Sequence, residues 1–349
     1  MPSPAPRVAV VILNWNGAAM LRQFLPLVVS ACDDDGKVFV ADNGSTDESL
    51  QMLQSEFPDV ATIALDRNYG FADGYNRTLK GLEAEFYLLL NSDVEPAPHF
   101  LRPLLQLMDT HPACAACQPK LLSWRQRDSF EYAGAAGGFI DRYGYPFCRG
   151  RVFNTVERDG GQYDASPYPI FWATGAALLV RRTDWEAVGG LDGTFFAHQE
   201  EIDLCWRLRA RSREVWCVSE SIAYHVGGAT LGPGNPRKTY LNFRNNLRML
   251  YKNLPDSELR HVMRWRCALD YVAALQMLLT GQPRHAAAVW RARRDFNREK
   301  LQLKPQREEN LRLTTLSPIP EQLPSSLLWL YHARRKHTFA QLLPFFKKC

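Results

Sequence analysis

An apolar run of strand length, Phe86–Leu90, ends directly in the polar triplet Asn91-Ser92-Asp93. A run without polar alternation indicates a parallel strand that is covered on both faces. In open α/β sheets, ligands bind just beyond the carboxyl ends of the strands. Asn91 and Asp93 point to the same side of an extended backbone, which would place an amide and a carboxylate where a cation and a phosphate meet. The alternative is that Ser92 or Asp93 only caps a following helix.

Strand-like and helical patterns alternate through the first third of the chain. Apolar strands are expected at 8–13, 37–41, 60–65 and 86–90, and helices at 18–29, 46–57, 75–84 and 98–110. This alternation predicts an α/β fold with a mainly parallel sheet wound by right-handed crossovers. After about Cys117 the pattern becomes irregular, with an apolar stretch at 170–180 and a helix at 200–211, and it is mainly helical from Lys238.

Polar side chains cluster after each of these four strands. The set comprises Asn14, Asn16, Asp42, Asn43, Ser45, Arg67, Asn68, Gly70, Asn76, Asn91 and Ser92. Each cluster alone would be ordinary turn chemistry, but together they lie at one edge of the predicted sheet, where a nucleotide would bind. The Asp42 carboxylate would accept from the imide N–H of uracil or thymine, Gly70 permits close backbone approach, and Arg67 would approach phosphate. The sequence has neither the dinucleotide nor the P-loop glycine fingerprint.

Charge is distributed unevenly along the 349 residues, whose formal net charge is +5. Residues 236–349 hold 22 Lys and Arg against 8 Asp and Glu, a balance of +14 that leaves −9 for the rest of the chain. The acidic part suits metal and nucleotide chemistry, and the basic part suits an anionic partner. The 8 cysteines include one CxxC, Cys114–Cys117, and no second pair at zinc-site spacing, so free core thiols are expected.

Several motifs occur in the order found in a known enzyme family. They are Leu13-Asn14-Trp15-Asn16, Asp42-Asn43-Gly44-Ser45, Asn68-Tyr69-Gly70-Phe71-Ala72, Asn91-Ser92-Asp93, Gly189-Gly190-Leu191-Asp192, Glu200-Glu201-Ile202-Asp203, His225-Val226-Gly227-Gly228 and Phe243-Arg244-Asn245-Asn246. Over roughly residues 7–252 the chain resembles the inverting family-2 glycosyltransferases, in particular their rhamnosyltransferase-like branch. The resemblance implies a Rossmann-like GT-A catalytic domain at 1–252, followed by a basic, mainly helical extension at 253–349.

The resemblance also implies a metal site and a donor. Asp93 would be the last acid of a DXD-type motif and bind Mn²⁺ or Mg²⁺, with His225 as a nitrogen ligand and Asn91 contacting ribose or a metal-bound water. The donor would be a nucleotide diphosphate sugar, such as dTDP-rhamnose, a UDP-hexose or UDP-galactofuranose. A lone histidine after a strand is otherwise a hydrogen-bonded core or loop residue.

The acidic run at residues 200–203 is the implied catalytic edge. Glu201 would be the general base that takes the proton of the acceptor hydroxyl. The family usually has Asp at this position, so the longer glutamate is a departure. Glu200 and Asp203 are the alternatives, and Asp203 would otherwise bind acceptor or anchor Arg207. Without the resemblance, the run is an acidic helix start that complements the helix dipole.

Residues 172–176 are expected to belong to the acceptor site. The residues concerned are Trp172, Thr174, Gly175 and Ala176. An aromatic face packs well against the C–H surface of a sugar, although Trp172 would equally fit a core position. The acceptor would be a glycan or a lipid-linked glycan in cell-surface polysaccharide synthesis, and no nucleic-acid partner is expected.

Two stretches of the C-terminal region interleave apolar, aromatic and basic residues, namely Trp265–Leu279 and Leu323–Phe346. They predict contact with an anionic membrane surface. The alternative is a helical lid that packs on the catalytic domain with a solvated basic face. Met1–Pro6 has no apolar signal segment, and no apolar run has the length of a membrane span. We therefore expect a cytoplasmic protein that is peripheral on the cytosolic face of the membrane.

Two other functions fit parts of the pattern. A sugar nucleotidyltransferase also combines an α/β sheet with metal-binding carboxylates, but it would require a glycine-rich, basic loop after the first strand. Residues Asn14-Trp15-Asn16-Gly17 do not supply one. A non-catalytic sugar-nucleotide or glycan-binding module would keep the strand-end clusters and lack the base, so this alternative depends on Glu201. The pattern as a whole favours a metal-dependent inverting glycosyltransferase.

Overall fold

The structure of the chain is a computed structural model that describes residues 5–32, 34–165, 167–227 and 234–346; Gly228 of the His225 motif lies outside these ranges. The strands are β1 (Val8–Asn14), β2 (Gly36–Asp42), β3 (Ala61–Ala64), β4 (Phe86–Leu90), β5 (Val94–Pro96), β6 (Cys114–Ser123), β7 (Gly138–Asp141), β8 (Pro146–Cys148), β9 (Arg151–Val152), β10 (Thr155–Val156), β11 (Tyr168–Pro169), β12 (Ala177–Arg181), β13 (Glu214–His225) and β14 (Gln322–Leu323). The α-helices are α1 (Ala18–Ala31), α2 (Ser49–Glu56), α3 (Gly70–Leu79), α4 (Leu101–Thr110), α5 (Arg182–Val188), α6 (Glu200–Ala210), α7 (Pro236–Asn253), α8 (Asp256–Leu279), α9 (Pro283–Glu299), α10 (Lys304–Arg312) and α11 (Phe339–Leu342). Short turns of 3₁₀- or π-helix cover Gly193–Phe195, Trp329–Ala333 and Leu343–Phe345.

The larger sheet has the strand order β11-β13-β6-β12-β4-β1-β2-β3, and β5 pairs with β13. Parallel pairing joins β4 to β1, β1 to β2, β2 to β3, and β6 to β13. Strand β12 runs antiparallel between β4 and β6. The prediction of an α/β fold with a mixed, mainly parallel sheet and a C-terminal helical region is confirmed.

Strand β4 is buried on both faces, as its unbroken apolar sequence predicts. Tyr87 and Leu89 contribute to the core on one side of the sheet, and Phe86, Leu88 and Leu90 contribute to the core on the other side. Each fully buried side chain of this kind stabilises the fold by about 1.5–3 kcal/mol. This double burial fixes β4 in the middle of the sheet, so the polar triplet that follows it must emerge at the carboxyl edge.

Two element boundaries differ from the sequence prediction. Helix α3 begins at Gly70, several residues before the predicted start, because the free N–H groups of its first turn, those of Phe71 and Ala72, donate to Phe196 O at 2.6 and 3.3 Å. The apolar stretch at 170–180 forms a strand only at Ala177–Arg181. Upstream of it, Trp172 forms an isolated bridge with Gly138 instead of continuing the strand.

A smaller sheet, in the order β10-β9-β8-β7-β14, takes its last strand from the C-terminal region. Beyond β14, the side chains of Leu327, Leu330, Phe339 and Leu342 are buried in the main core. The expectation that Leu323–Phe346 provides an interfacial helix is therefore wrong. Trp329 and Leu343 stay about half exposed, but most of its large apolar side chains are at least partly buried, and the segment is broken into short helical turns.

Helices α7 to α10 pack together, with α7 on α9 and α9 on α8, and we call this unit, which starts before the predicted boundary, the extension. The predicted domain boundary at 252/253 falls at the end of α7. The chain then returns to the catalytic part, where Thr315 N donates to Ala210 O at 2.7 Å and Arg209 forms an ion pair with Glu321. Within the described ranges, we find no helix with the length and apolarity needed to cross a membrane.

Lys252 on α7 joins the extension to the catalytic part through a buried ion-pair cluster. Its Nζ lies 2.7 Å from Asp192 Oδ2 and 2.9 Å from Asp203 Oδ2. Burial alone would raise the pKa of Asp192, but the charge and hydrogen bond of Lys252 outweigh it and hold that pKa at about 2. The Asp192 carboxylate is therefore ionised, with Lys252 as its buried cation, and Asp203 shares Lys252 with Arg207.

We expect Lys252→Met to lower the free energy of unfolding by about 3–5 kcal/mol, because it leaves the buried Asp192 carboxylate without its cation and removes one of the two cations beside Asp203. Urea denaturation followed by circular dichroism at neutral pH measures this loss. Lys300→Met is the matched control, since Lys300 is exposed and has no ion pair within the described chain. Equal destabilisation by the two substitutions would contradict the role of Lys252.

Candidate active site

The carboxyl ends of β1 and β2 lie side by side, with Asn14 opposite Asp42 in the parallel register. Asn14 Nδ2 donates to Ser45 Oγ at 3.2 Å, and Ser45 N donates to Asp42 Oδ1 at 2.9 Å. Asn14 Oδ1 is buried and has no hydrogen-bond partner within the described chain. An unsatisfied buried acceptor needs an explanation, and at a strand end it offers a position for a ligand donor.

Three asparagines that the sequence assigned to donor binding hold loops together instead. Asn16 Oδ1 accepts from Thr46 N at 2.7 Å. Asn43 Nδ2 donates to Gly70 O at 3.0 Å, and Asn68 Oδ1 accepts from Gly70 N at 2.8 Å. Their amides fix the loops after β1, β2 and β3 at the same edge of the sheet, so their contribution to a nucleotide site is to shape it.

The remaining two donor-binding candidates of this region differ in availability. Asn76 exchanges two hydrogen bonds with the backbone of Leu191, at 2.7 and 3.0 Å, and so ties α3 to the Gly189-Gly190 turn. Arg67 is exposed, with its guanidinium 4.8 Å from the ring centroid of Tyr69, and it has no ion pair within the described chain. Arg67 is therefore free to meet a phosphate, and Asn76 is not.

Asp93 and His225 are brought together from positions far apart in the chain, because β5, which follows Asp93, pairs with the end of β13. Asp93 Oδ1 lies 3.2 Å from His225 Nε2, and Asn91 Nδ2 lies 3.4 Å from the same nitrogen. Asp93 Oδ2 accepts from Gly227 N at 3.2 Å. On the other side of the imidazole, Nδ1 faces Glu131 Oε1 at 3.3 Å, outside hydrogen-bonding alignment.

The two carboxylates decide the protonation of His225. Burial alone would lower its pKa, but Asp93 and Glu131 raise it to about 10, so the imidazole carries a proton in this arrangement. Burial would raise the pKa of Asp93, and the contact with His225 overcomes this and lowers it. The site is a buried ion pair with a second carboxylate behind it.

The donor set of this site fits a hard divalent cation. Asp93 offers a carboxylate oxygen beside His225 Nε2, where the imidazole proton now lies, and Glu131 stands behind the ring as a carboxylate that would orient it. In the described part of the chain, no cluster of three or more His, Cys, Asp or Glu side chains is arranged for a metal. The protein would thus supply few ligands, which suits Mn²⁺ or Mg²⁺ completed by phosphate and water.

Glu200 and Glu201 open helix α6, and their carboxyl groups are poorly satisfied. The Oε2 atom of each is buried without a hydrogen-bond partner in the described chain. Burial raises the pKa of Glu201 to about 7, and burial together with the charge of Glu201 raises that of Glu200 well above its usual range. A carboxylate whose pKa lies near neutral pH is suited to accept a proton.

A strained turn positions this acidic pair. Phe196, His198 and Gln199 have φ values of 67°, 71° and 71°, which are unfavourable for non-glycine residues. Asn245 on α7 secures the turn, because its Nδ2 lies 3.0, 2.9 and 2.8 Å from the carbonyl oxygens of Phe195, Ala197 and His198. Strain of this kind persists only where other contacts impose it, and it is concentrated at functional sites.

Asp203 is part of the buried structure and is not free to act as a base. Its carboxylate accepts from Arg207 Nε at 3.0 Å, Lys252 Nζ at 2.9 Å and Asn253 Nδ2 at 2.9 Å. The sequence alternative in which Asp203 anchors Arg207 matches these contacts. Of the acidic run, Glu200 and Glu201 keep an unpaired oxygen.

Of the residues predicted to line the acceptor site, some also have a structural role and others lie near the acidic pair. Trp172 is 2% exposed, and its indole N–H donates to Phe139 O at 2.9 Å, so it occupies the core position that the sequence left open. Gly175 lies near Phe71 and Glu201, since a Cβ atom on it would lie 3.1 Å from the Phe71 ring and 3.8 Å from Glu201 Cβ.

Residues Thr174 and Ala176 link the two halves of the site. Thr174 Oγ1 accepts from Ala176 N at 3.2 Å, and Ala176 O accepts from Asn91 N at 3.0 Å. The segment 174–176 therefore connects the strand end that carries Asp93 with the helix start that carries Glu201.

Two further contributors had no role in the sequence prediction. Asn245 was part of a recognised motif, but its sequence alone does not reveal that it bonds a turn about fifty positions earlier. Glu131 lies between strands in a region without periodicity, and nothing in its neighbourhood marked it as a partner of His225.

Comparisons with known proteins agree with this architecture. Residues 9–143 match the model of the family described as Glycosyl transferase family 2. An N-acetylglucosaminyl-diphospho-decaprenol L-rhamnosyltransferase from Mycobacterium tuberculosis is 28% identical over 240 residues, which cover 63% of this chain and 76% of that protein.

Solved structures resemble the fold at low sequence identity. The structure of GalNAc-T7 with UDP, GalNAc and Mn²⁺ has a TM-score of 0.58 at 15% identity, and the match covers 91% of this chain and 59% of that one. TarS from S. aureus in complex with UDP-GlcNAc has a TM-score of 0.53 at 15% identity, with 88% of each chain covered. The chain thus has a GT-A fold, its residues 9–143 match the family-2 glycosyltransferase model, and its sequence is similar to that of a rhamnosyltransferase.

Proposed function

We propose that this protein transfers one sugar, with inversion, from a nucleotide diphosphate sugar to a glycan or lipid-linked glycan, and that it requires Mn²⁺ or Mg²⁺. The observation that carries the proposal is the short link between its two charged clusters. Ala176 O accepts from the backbone N–H of Asn91 at the Asp93 end, and a Cβ atom on the adjacent Gly175 would lie 3.8 Å from Glu201 Cβ. A donor diphosphate and an acceptor hydroxyl would thus meet between them.

The donor half of the reaction is assigned to the strand ends. Asp42 and Asn14 would bind the base and ribose, Arg67 would contact the diphosphate, and Asp93 with His225 would hold the cation. When bound, the cation supplies positive charge that stabilises the diphosphate leaving group. Because His225 is protonated in the arrangement described, binding the cation requires release of that proton. The relative from M. tuberculosis is named as a rhamnosyltransferase, which supports dTDP-rhamnose as the first donor to test, ahead of UDP-sugars.

The acceptor half is assigned to Glu201. As the acceptor hydroxyl oxygen attacks the anomeric carbon, the bond from that carbon to the diphosphate oxygen breaks. The hydroxyl proton passes to the Glu201 carboxylate, whose unpaired oxygen is available for it. Glu200 beside it keeps the pair short of full ionisation, since two adjacent buried carboxylates disfavour a second charge.

The acceptor is proposed to be lipid-linked, and the enzyme to work peripherally on the cytosolic face of a membrane in cell-surface polysaccharide synthesis. The name of the M. tuberculosis relative, which specifies a diphospho-decaprenol acceptor, supports this. So does the basic character of residues 236–349, which hold 22 Lys and Arg against 8 Asp and Glu.

Asp93→Ala should reduce metal-dependent turnover about a hundredfold or more, because the cation that would stabilise the diphosphate leaving group loses its carboxylate ligand. Release of nucleoside diphosphate from a panel of dTDP- and UDP-sugars with Mn²⁺ is the measurement. Asp59→Ala is the control, since Asp59 is an exposed carboxylate with no ion pair in the described chain. Release of pyrophosphate instead would identify a nucleotidyltransferase, and an inert wild-type protein that still binds donor would identify a binding module.

Glu201→Gln should retain donor binding and lose about 10²–10⁴-fold in transfer rate, the usual contribution of a general base. In the wild type, kcat/KM should rise with pH to a plateau with a midpoint near 7, because the base acts only when deprotonated and its pKa is about 7. Donor binding is measured by thermal shift with Mn²⁺.

Glu200→Gln tests the assignment within the pair. It should keep transfer and leave the midpoint of the pH profile near 7, because Glu200 is still protonated when Glu201 ionises and its replacement removes no charge. A fully active Glu201→Gln enzyme would exclude Glu201 as the base and leave Glu200 as the candidate.

Asn245→Ala should slow transfer about tenfold to a hundredfold without abolishing donor binding, because the turn before Glu201 loses its clamp and the base moves. The pH midpoint should fall below 7, since a looser turn exposes the Glu201 carboxyl to water. Asn297→Ala, an exposed asparagine on α9, is the control. Loss of thermal stability with an unchanged pH profile would reduce Asn245 to a purely structural role.

A further inference from the structure

One face of helix α8 is exposed along its whole length. The exposed residues recur at intervals of three or four, as a single stripe on a helix of 3.6 residues per turn requires. The stripe comprises Ser257, Arg260, His261, Arg264, Trp265, Ala268, Tyr271, Val272, Leu275, Leu278 and Leu279, and Asp256 and Gln276 of the same helix are exposed as well. The opposite face contributes Val262, Arg266 and Asp270 to the interior. At about 1.5 Å per residue, the stripe runs for more than 30 Å.

The second half of this stripe is apolar and open to solvent. Leu279 is 80% exposed, Val272 63%, Leu275 55% and Leu278 53%, and Trp290 on the neighbouring α9 is 53% exposed. Single exposed apolar residues are common, but a contiguous row of large ones marks an interaction surface.

The exposed apolar row of α8 is held in place by buried contacts between α8 and α9. Asp270, on the inner face of α8, is held by Arg266 at 2.8 Å and by Arg293 of α9 at 2.5 Å. Ala286 and Val289 of α9 are buried. The α8–α9 hairpin is thus pinned by a buried ion-pair triad, and its exposed face is a fixed surface.

The surroundings of the row are strongly basic. Residues 260–300 contain nine Lys and Arg against three Asp and Glu. Arg260, Arg264, Arg284 and Arg291 have no acidic partner within 4.0 Å in the described chain. Ser257, Arg260, His261, Arg264 and Trp265 also line a shallow cleft of about 400 Å³ at the start of the stripe.

We propose that the outer face of α8 is the surface by which this protein lies on an anionic lipid bilayer. The apolar half enters the boundary between headgroups and acyl chains, Trp265, Tyr271 and Trp290 take the interfacial positions that aromatic rings prefer, and the arginine cleft receives lipid phosphate. This assignment rests on the proposed function, which requires a lipid-linked acceptor, and it adds the part of the molecule that makes the contact.

A second copy of the chain fits this face less well. Parallel pairing of two α8 faces would bring the uncompensated arginines of both copies together, and like charges across an interface oppose association, whereas antiparallel pairing would set the arginine end of each helix against the apolar end of the other. An anionic bilayer instead supplies the missing negative charge along the whole stripe.

The test is sedimentation with vesicles of phosphatidylcholine, with and without phosphatidylglycerol, which contain neither donor nor acceptor. Wild-type protein should bind the anionic vesicles, and binding should fall as salt is raised. Leu275→Ser with Leu279→Ser should weaken binding about tenfold or more, because two apolar side chains no longer enter the bilayer. Arg260→Gln with Arg264→Gln should weaken it about fivefold per charge.

Leu301→Ser is the matched control. Leu301 is 72% exposed like the leucines of the stripe, but it follows α9 at the end remote from the α8–α9 turn. It should leave vesicle binding unchanged. Equal loss in the control and the stripe variants would overturn the proposal.

Two other outcomes would also overturn it. Wild-type protein that stays in the supernatant with anionic vesicles at low salt does not use this face for lipid. A wild-type dimer that becomes monomeric in the leucine variant, without vesicle binding in either, would assign the face to a second copy. Donor turnover of the same preparations without vesicles separates the two proposals, because lost lipid binding with intact turnover leaves the transferase function in place.

Discussion

The contacts between helix α7 and the segment 192–203 are the constraint on which the proposed catalytic residues depend. Asn245 holds a turn that contains three non-glycine residues at positive φ, and Lys252 neutralises the carboxylates of Asp192 and Asp203 at its two sides. Each such residue costs about 1–3 kcal/mol of backbone strain, so the turn needs contacts from outside itself. The extension is therefore the support that sets the direction of helix α6.

Two carboxylates in this segment have different surroundings and therefore different roles. Asp203 is buried with three donors and serves the structure, whereas Glu201, two positions earlier, is left with an unpaired oxygen and a pKa near neutral pH. Partners, and not burial alone, decide which of two neighbouring acids is available for proton transfer. Asp93 is the opposite case, since its contact with His225 keeps it ionised despite burial.

Sequence reasoning reached the sheet and its functional edge because these depend on local patterns. The unbroken run at Phe86–Leu90 indicated a doubly buried strand, and the polar triplet after it indicated where the strand ends. Sequence reasoning was less successful where a side chain bonds a residue that is distant in the sequence. Asn76 bonds Leu191, Trp172 bonds Phe139 and Glu131 faces His225, and none of these pairings leaves a periodic signal. The prediction that residues 323–346 contact a membrane failed for a related reason. An apolar and basic composition does not show whether a segment packs on a membrane or on the protein itself.

Strand β14 has a consequence for the order in which the molecule can be made. It completes the smaller sheet by pairing with β7, which is about 180 residues earlier, and Leu327, Leu330, Phe339 and Leu342 fill the adjoining core. On the ribosome, most of the chain must be synthesised before this core can close. During that interval the apolar side of β7 and β8 is uncovered, and such transient exposure favours aggregation. Truncation near the C-terminus would therefore lower the solubility of the newly synthesised protein, even though the proposed catalytic residues lie far upstream.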